Sequence, residues 1–200
     1  MSGEANSYLT IAGHYSRPDP QAAARYATQQ EGVSEEDEGM FSSVLSRFTG
    51  DDDDDDEAPH KRPIQDDEAN EAASAHDRIY SQNNGQPDEG NTSRDLGSAA
   101  ALQAFKMFSG GGGGSGGGSN EMIGMAMGEA MKLFNAQGGK ADQSEMLQSA
   151  AMMALKLYTT SQASKAGGES SGGLGSIMGM LGGGGGSSGG MAASLLSKFM

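Results

Sequence analysis

Between Met40 and Phe48 the apolar residues are Met40, Phe41, Val44, Leu45 and Phe48, at i, i+1, i+4, i+5 and i+8. That spacing puts five side chains on one face of about three turns and predicts an amphipathic helix over 39–49. Further along, residues 66–80 carry acids in the first turn and Arg78 in the last, as a helix dipole favours, with an intermittent stripe of Ala69, Ala72, Ala73, His76, Ile79 and Tyr80. Asn83, Asn84, Gly85 and Pro87 stop that helix. Ser93 reads as the N-cap of another helix over 94–108, which ends at Gly110. Nearer the N-terminus, after Pro18 and Pro20, the Ala-rich stretch 21–30 predicts a short helix with little to bury.

The second half repeats itself. Ala104-Phe105-Lys106-Met107-Phe108, Ala130-Met131-Lys132-Leu133-Phe134 and Ala154-Leu155-Lys156-Leu157-Tyr158 share one form: Ala, apolar, Lys, Leu or Met, aromatic. Each closes a helix-like stretch, with Asn120 and Asp142 as N-caps of the second and third and each Lys in a final turn. Ser194 to Met200 resembles a degraded fourth copy. Glycine and serine runs separate the copies and act as helix stops and connectors. A unit that cannot bury its own stripe must stack on neighbours, so the repeat predicts an all-α array or bundle. Phe105, Phe108, Met131, Phe134, Leu155 and Tyr158 are the candidate self-association residues. Gly124 and Gly128, four apart, and the many methionines supply small and adaptable faces.

Composition sharpens the contrast between the halves. Of 200 residues, Leu, Ile, Val and Phe supply 25, too few for one large branched and aromatic core. Of the net charge of −14, residues 1–95 carry −15 and residues 96–200 carry +1; the first part also holds all five prolines, whereas 12 of the 14 methionines lie beyond. The expected organisation is an acidic disordered arm over 1–64, a helical repeat domain over 65–165, and a Gly/Ser-rich tail with short apolar helices over 166–200. The helix at 39–49 has two readings within that arm: a recognition helix for a partner's groove, or a docking element for this chain's own second half. Ser46 and Thr49 precede the acidic run 51–57, a context suited to acidophilic kinases, and phosphate at that helix end would tend to melt it.

Chemistry is sparse. With no Cys and His only at 14, 60 and 76, thiolate and multi-histidine metal centres have nothing to draw on. The acidic run lacks the Gly-pivoted spacing of a calcium loop. The glycine runs follow helices rather than strands, and Gly138-Gly139-Lys140-Ala141 lacks the hydroxyl residue of a phosphate loop. The acidic first half argues against nucleic acid, and the tail lacks the basic face of a membrane-surface helix. No catalytic residue, cofactor or metal is identified, and with no export signal or span-length apolar run the expected compartment is cytoplasmic, with the nucleus as alternative.

Residues 76–85 (HDRIYSQNNG), 95–114 (DLGSAAALQAFKMFSGGGGG) and 175–200 (GSIMGMLGGGGGSSGGMAASLLSKFM) resemble a filamentous-fungal family of unknown function, some of whose members are labelled beta-flanking protein. More loosely, the short Ala, Leu and Met helices are similar to the non-prion part of the asparagine- and glutamine-rich yeast prion protein. With 7 Asn and 11 Gln and no tract of either, the chain departs from the prion pattern. The resemblance implies a cytosolic fungal protein with no assigned activity. The expected function is a non-enzymatic interaction or scaffold protein that forms homo-oligomers, contacts an unidentified partner through 39–49 and engages chaperones. The alternative is a stress-related disordered protein whose helices form on drying or on a lipid surface.

Overall fold

The computed structural model describes residues 18–30, 32–47, 62–112 and 118–165, together with 175 and 177. The chain is all-α. Among the described residues the continuous α-helices run in the order α1 (Pro20–Thr28), α2 (Glu38–Ser46), α3 (Asp66–His76), α4 (Ser93–Met107), α5 (Gly118–Ala136) and α6 (Gln143–Lys165), and no strand occurs.

Local chemistry sets the helix starts. Asp19 caps α1, accepting from Gln21 N at 2.9 Å and Ala22 N at 3.2 Å, and Pro20 follows at the first helical position. A single 3₁₀ turn, Glu35–Asp37, leads into α2. Gln65 N donates to Glu68 Oε2 at the head of α3. The cap of α4 is Thr92, one residue before the expected Ser93: Asp95 N donates to Thr92 Oγ1 at 3.1 Å and Thr92 N returns a bond to Asp95 Oδ2 at 3.0 Å. Ser93 Oγ is thereby left to accept from Asp142 N at 2.9 Å, tying the start of α4 to the start of α6. Asp142 does cap α6, accepting from Glu145 N at 2.8 Å. Asn120 lies inside the first turn of α5 and accepts from Asp19 N at 2.8 Å, a link between helices rather than a cap.

Two helices are enclosed on nearly every side. In α4, residues 96–102 are all buried, and in α5 residues 121–131 are. An all-round apolar helix belongs at the centre of an assembly. The loop between α5 and α6 is short, so those two run antiparallel. It turns on Gly138 (φ 78°) and Gly139 (φ 73°), whose amides donate to Asn135 O and Phe134 O respectively, a left-handed helix stop that glycine accommodates without strain. Ser93 meets Asp142 and Gly97 meets Met146 O and Ala150 N at the starts of α4 and α6, and Phe108 meets Tyr158 further along, so those two helices are parallel neighbours.

The small residues set the closeness of the packing. On α5, Gly124 abuts Ala23 O and Ala27 N of α1, and one turn later Gly128 abuts Ala27 O. Ala23, Ala24 and Ala27 are completely buried there. The Ala-rich stretch expected to have little to bury therefore buries its backbone: glycine on one helix and alanine on the other let two main chains touch, and dispersion over many close atoms replaces the contact of large side chains.

The folded unit also reaches further toward the N-terminus than a start at residue 65. Phe41, Val44 and Leu45 of α2 are buried against α1 and α6, and Ile64 is buried too. The acidic half has few large apolar residues, but among those described Phe41, Val44, Leu45, Ile64 and Ile79 are spent on this core. Phe48 and Thr49 lie outside the described residues, as do the acidic run 51–57 and most of 166–200; of that tail, Ile177 is buried in the same core.

Candidate interaction surface

The N-terminal half of α5 forms the floor of an open cleft between α1 and α4. Tyr26, Gln29 and Gln30 line one wall, Gln103, Lys106, Met107 and Gly110 the other, and Glu121 and Met125 the floor; its volume is about 620 Å³. Glutamine amides both donate and accept, and methionine side chains reshape by rotating three torsions, so the lining offers hydrogen bonds of either sense beside adaptable apolar contact. That mixture suits a peptide segment, whose main chain carries both donors and acceptors.

A polar seam crosses the helices next to this cleft. Gln103 joins the two: it lines the cleft and its Oε1 lies 2.9 Å from Nε2 of His76, which is only 4% exposed. Burial lowers the His76 pKa below its ordinary value; the Gln103 bond opposes that and the nearby Lys106 charge adds to it. The imidazole stacks on Tyr80, ring centroids 4.9 Å apart. Tyr80 donates to Glu129 Oε2 at 3.2 Å, and Lys132 donates to Glu129 Oε1 at 2.7 Å. Burial, reinforced by the Glu129 carboxylate, holds the Tyr80 phenol well above its usual pKa and so neutral. These shifts move both groups away from the charged state, and His76 Nε2, the Tyr80 hydroxyl and both Glu129 oxygens each meet a partner within the protein. That is the behaviour of a buried structural network rather than of a proton-transfer pair.

Tyr80 reaches α5 because α3 does not end as an α-helix. From Asp77 to Gln82 the backbone widens into a π-turn, closed by Gln82 Nε2 donating to Asp77 Oδ2 at 2.7 Å. The predicted end near Tyr80 is thus two residues short, and Asn84 (φ 54°) with Gly85 (φ 81°) makes the reversal. Among the described residues no group of three or more His, Asp or Glu side chains converges to hold a metal ion, and no helix is long and apolar enough to cross a membrane.

The sequence-derived candidates fall into two sets. Met40 is half-buried and Phe41, Val44 and Leu45 are inside the protein's own core, where α2 packs chiefly on α1 and to a lesser extent on α6 of the second half. Phe105 and Met131 are likewise interior, whereas Phe108, Phe134, Leu155 and Tyr158 are half-buried at the margin of the core. Phe108 and Tyr158 meet edge to face at 6.3 Å, close to the end of α4 that also carries Met107 of the cleft. The three repeated lysines are not equivalent. Lys106 is exposed in the last turn of α4, Lys132 pairs with Glu129, and Lys156, far from the end of α6, is 8% exposed and pairs with Glu68 of α3 at 2.5 Å. Of the expected phosphorylation sites, Ser46 ends α2 with its hydroxyl exposed and donating to Ser42 O at 2.8 Å. The glutamines and Tyr26 of the cleft were missed by sequence reasoning because they come from two helices about eighty residues apart and no local pattern joins them.

The arrangement is a helical bundle with a buried polar seam beside an open cleft. Residues 19–113 match a family profile described as a domain of unknown function, DUF7721. The match spans α1 to α4 and stops before α5 and α6, the helices on which α1 and α4 chiefly pack. No curated protein and no solved structure matches the chain.

Proposed function

We propose that this is a non-enzymatic interaction or scaffold protein that associates with further copies of itself. The observation that supports it most is the division of the repeat. Phe105 and Met131 complete the core, while Phe108, Phe134, Leu155 and Tyr158 leave apolar surface at its edge beyond what the bundle encloses. Large apolar side chains left partly open at an edge gain most by meeting another apolar surface. Sedimentation over a hundredfold concentration range tests it. The native chain should show a reversible shift toward dimer or larger species, and Phe108→Asp with Tyr158→Asp should abolish that shift while helicity stays unchanged. A native chain that remains monomeric throughout sinks the reading. The setting we propose is the fungal cytoplasm, on the resemblance carried by residues 76–85, 95–114 and 175–200.

A further inference from the structure

Residues 39–48 read GMFSSVLSRF and residues 190–199 read GMAASLLSKF. Gly, Met, Ser, Leu, Ser and Phe recur at the same six places, Val44 becomes Leu195 and Arg47 becomes Lys198. Met191, Leu195, Leu196 and Phe199 thus repeat the i, i+4, i+5, i+8 spacing of Met40, Val44, Leu45 and Phe48. The first copy has a known seat: α2 lies on α1 and α6 with Phe41, Val44 and Leu45 buried and Glu38 3.9 Å from Arg25 of α1.

We infer that the α2 seat is an exchange site whose second ligand is the chain's own segment 190–199. A groove that selects Val44 and Leu45 at that spacing accepts Leu195 and Leu196 in the same register. Ile177, buried in the core, tethers the tail to the bundle. The twelve residues 178–189 can extend to roughly 40 Å, longer than α6, which at 23 residues spans about 35 Å. Tethering makes the competition intramolecular and raises the effective concentration of the segment to the millimolar range.

One position decides who holds the seat. Where α2 places the fully buried Phe41, the tail has Ala192. Truncating a buried Phe to Ala weakens packing by about a hundredfold or more, so α2 wins at rest. The tail enters when α2 is weakened, as by added negative charge at its C-terminal end, where Ser46 is exposed. Once displaced, α2 presents Met40, Phe41, Val44 and Leu45 to an outside partner. This exchange is independent of whether the edge aromatics drive self-association.

The chain has no cysteine, so introduced pairs report cleanly. In the full chain, Arg25→Cys is combined with either Glu38→Cys or its tail counterpart Gly189→Cys and treated with a short bismaleimide. The native background should link 25 to 38. Exchanging the anchors, Phe41→Ala with Ala192→Phe, should speed the 25 to 189 link at least tenfold within single chains and slow the 25 to 38 link. An unchanged 25 to 189 rate overturns the proposal, and so does a link formed only between chains. If the exchanged chain folds poorly, Leu196→Ser provides a second reading. It should leave the melting temperature of the native chain unchanged and lower that of the Phe41→Ala chain. Equal effects in both backgrounds refute the exchange.

Discussion

At single positions the glycines of this bundle carry opposite signs. A Cβ on Gly97 would sit 2.5 Å from Met146 O and 2.8 Å from Ala150 N, and one on Gly124 would sit 2.5 Å from Ala23 O. Backbone cannot rotate away, so Gly97→Ala or Gly124→Ala must push two helices apart, and each should cost about 1–3 kcal/mol. Gly39 in α2 has open space around its would-be Cβ. There Gly39→Ala should stabilise by about 0.5–1 kcal/mol through lower unfolded-state entropy. Urea midpoints of the three variants decide it, and the account fails if all move in the same direction. His76 makes a different kind of prediction. Its folded pKa lies below the model-compound value of 6.5, so the neutral form is favoured on folding. The corresponding stability is fully present above the unfolded pKa and is lost as pH falls toward the folded one. Acidifying from pH 7.5 to 5.5 should lower the urea midpoint, and His76→Gln should flatten that slope. A slope unaltered by the substitution would assign the acid sensitivity elsewhere.

Among elements, α3 shows how a polar helix is held. Its buried side chains are mostly alanines and it packs chiefly on α4, so two polar links to α6 matter. Lys156 pairs with Glu68, and Thr160 Oγ1 accepts from Ile64 N at 3.1 Å while donating to Lys156 O at 2.7 Å. Thr160→Val keeps the volume but strands a buried amide, and should cost about 1–3 kcal/mol. Hydrogen exchange should show the loss first at Ile64 and in α3; exchange that speeds up uniformly along the chain would contradict this. The helices and their order were legible beforehand where a cap or a break marks them, as Pro20 does before α1, Asp142 at the head of α6 and Gly138 with Gly139 after α5. What escaped was depth. Periodicity identifies a face when large residues mark it, as Phe41, Val44 and Leu45 do, but a face of Ala23, Ala24 and Ala27 gives no such contrast, and its burial depends on Gly124 and Gly128 a hundred residues away. The cap at Thr92 rather than Ser93 was hidden for a similar reason: both are good caps, and Asp142 decides between them.

Across the whole molecule, the division into an acidic arm and a helical half gives way to one shared core. Charge and proline content describe the solvent-facing side of residues 18–47 but not the side turned inward, where α1 lies on α5 and α2 on α1 and α6. Cleft and seam were illegible for the same reason, since each draws from three helices. This interdependence bears on the family match, because 19–113 takes in α1 and α4 without their main supports. In a chain cut after residue 113, Ala23, Ala24 and Ala27 would face solvent where Gly124 and Gly128 now lie, and Leu96, Leu102 and Phe105 would lose the α5 and α6 surfaces they pack on. α3 would remain against α4 and α2 against α1, yet two separate helix pairs rich in alanine bury too little to offset the conformational entropy of ordering roughly ninety residues. The fragment should therefore show partial helicity without a cooperative melting transition and should bind a hydrophobic dye, whereas the full chain melts in one step. A sharp transition in the fragment would mean that α1 and α2 find a seat without α5 and α6, and that the contacts described between them are dispensable.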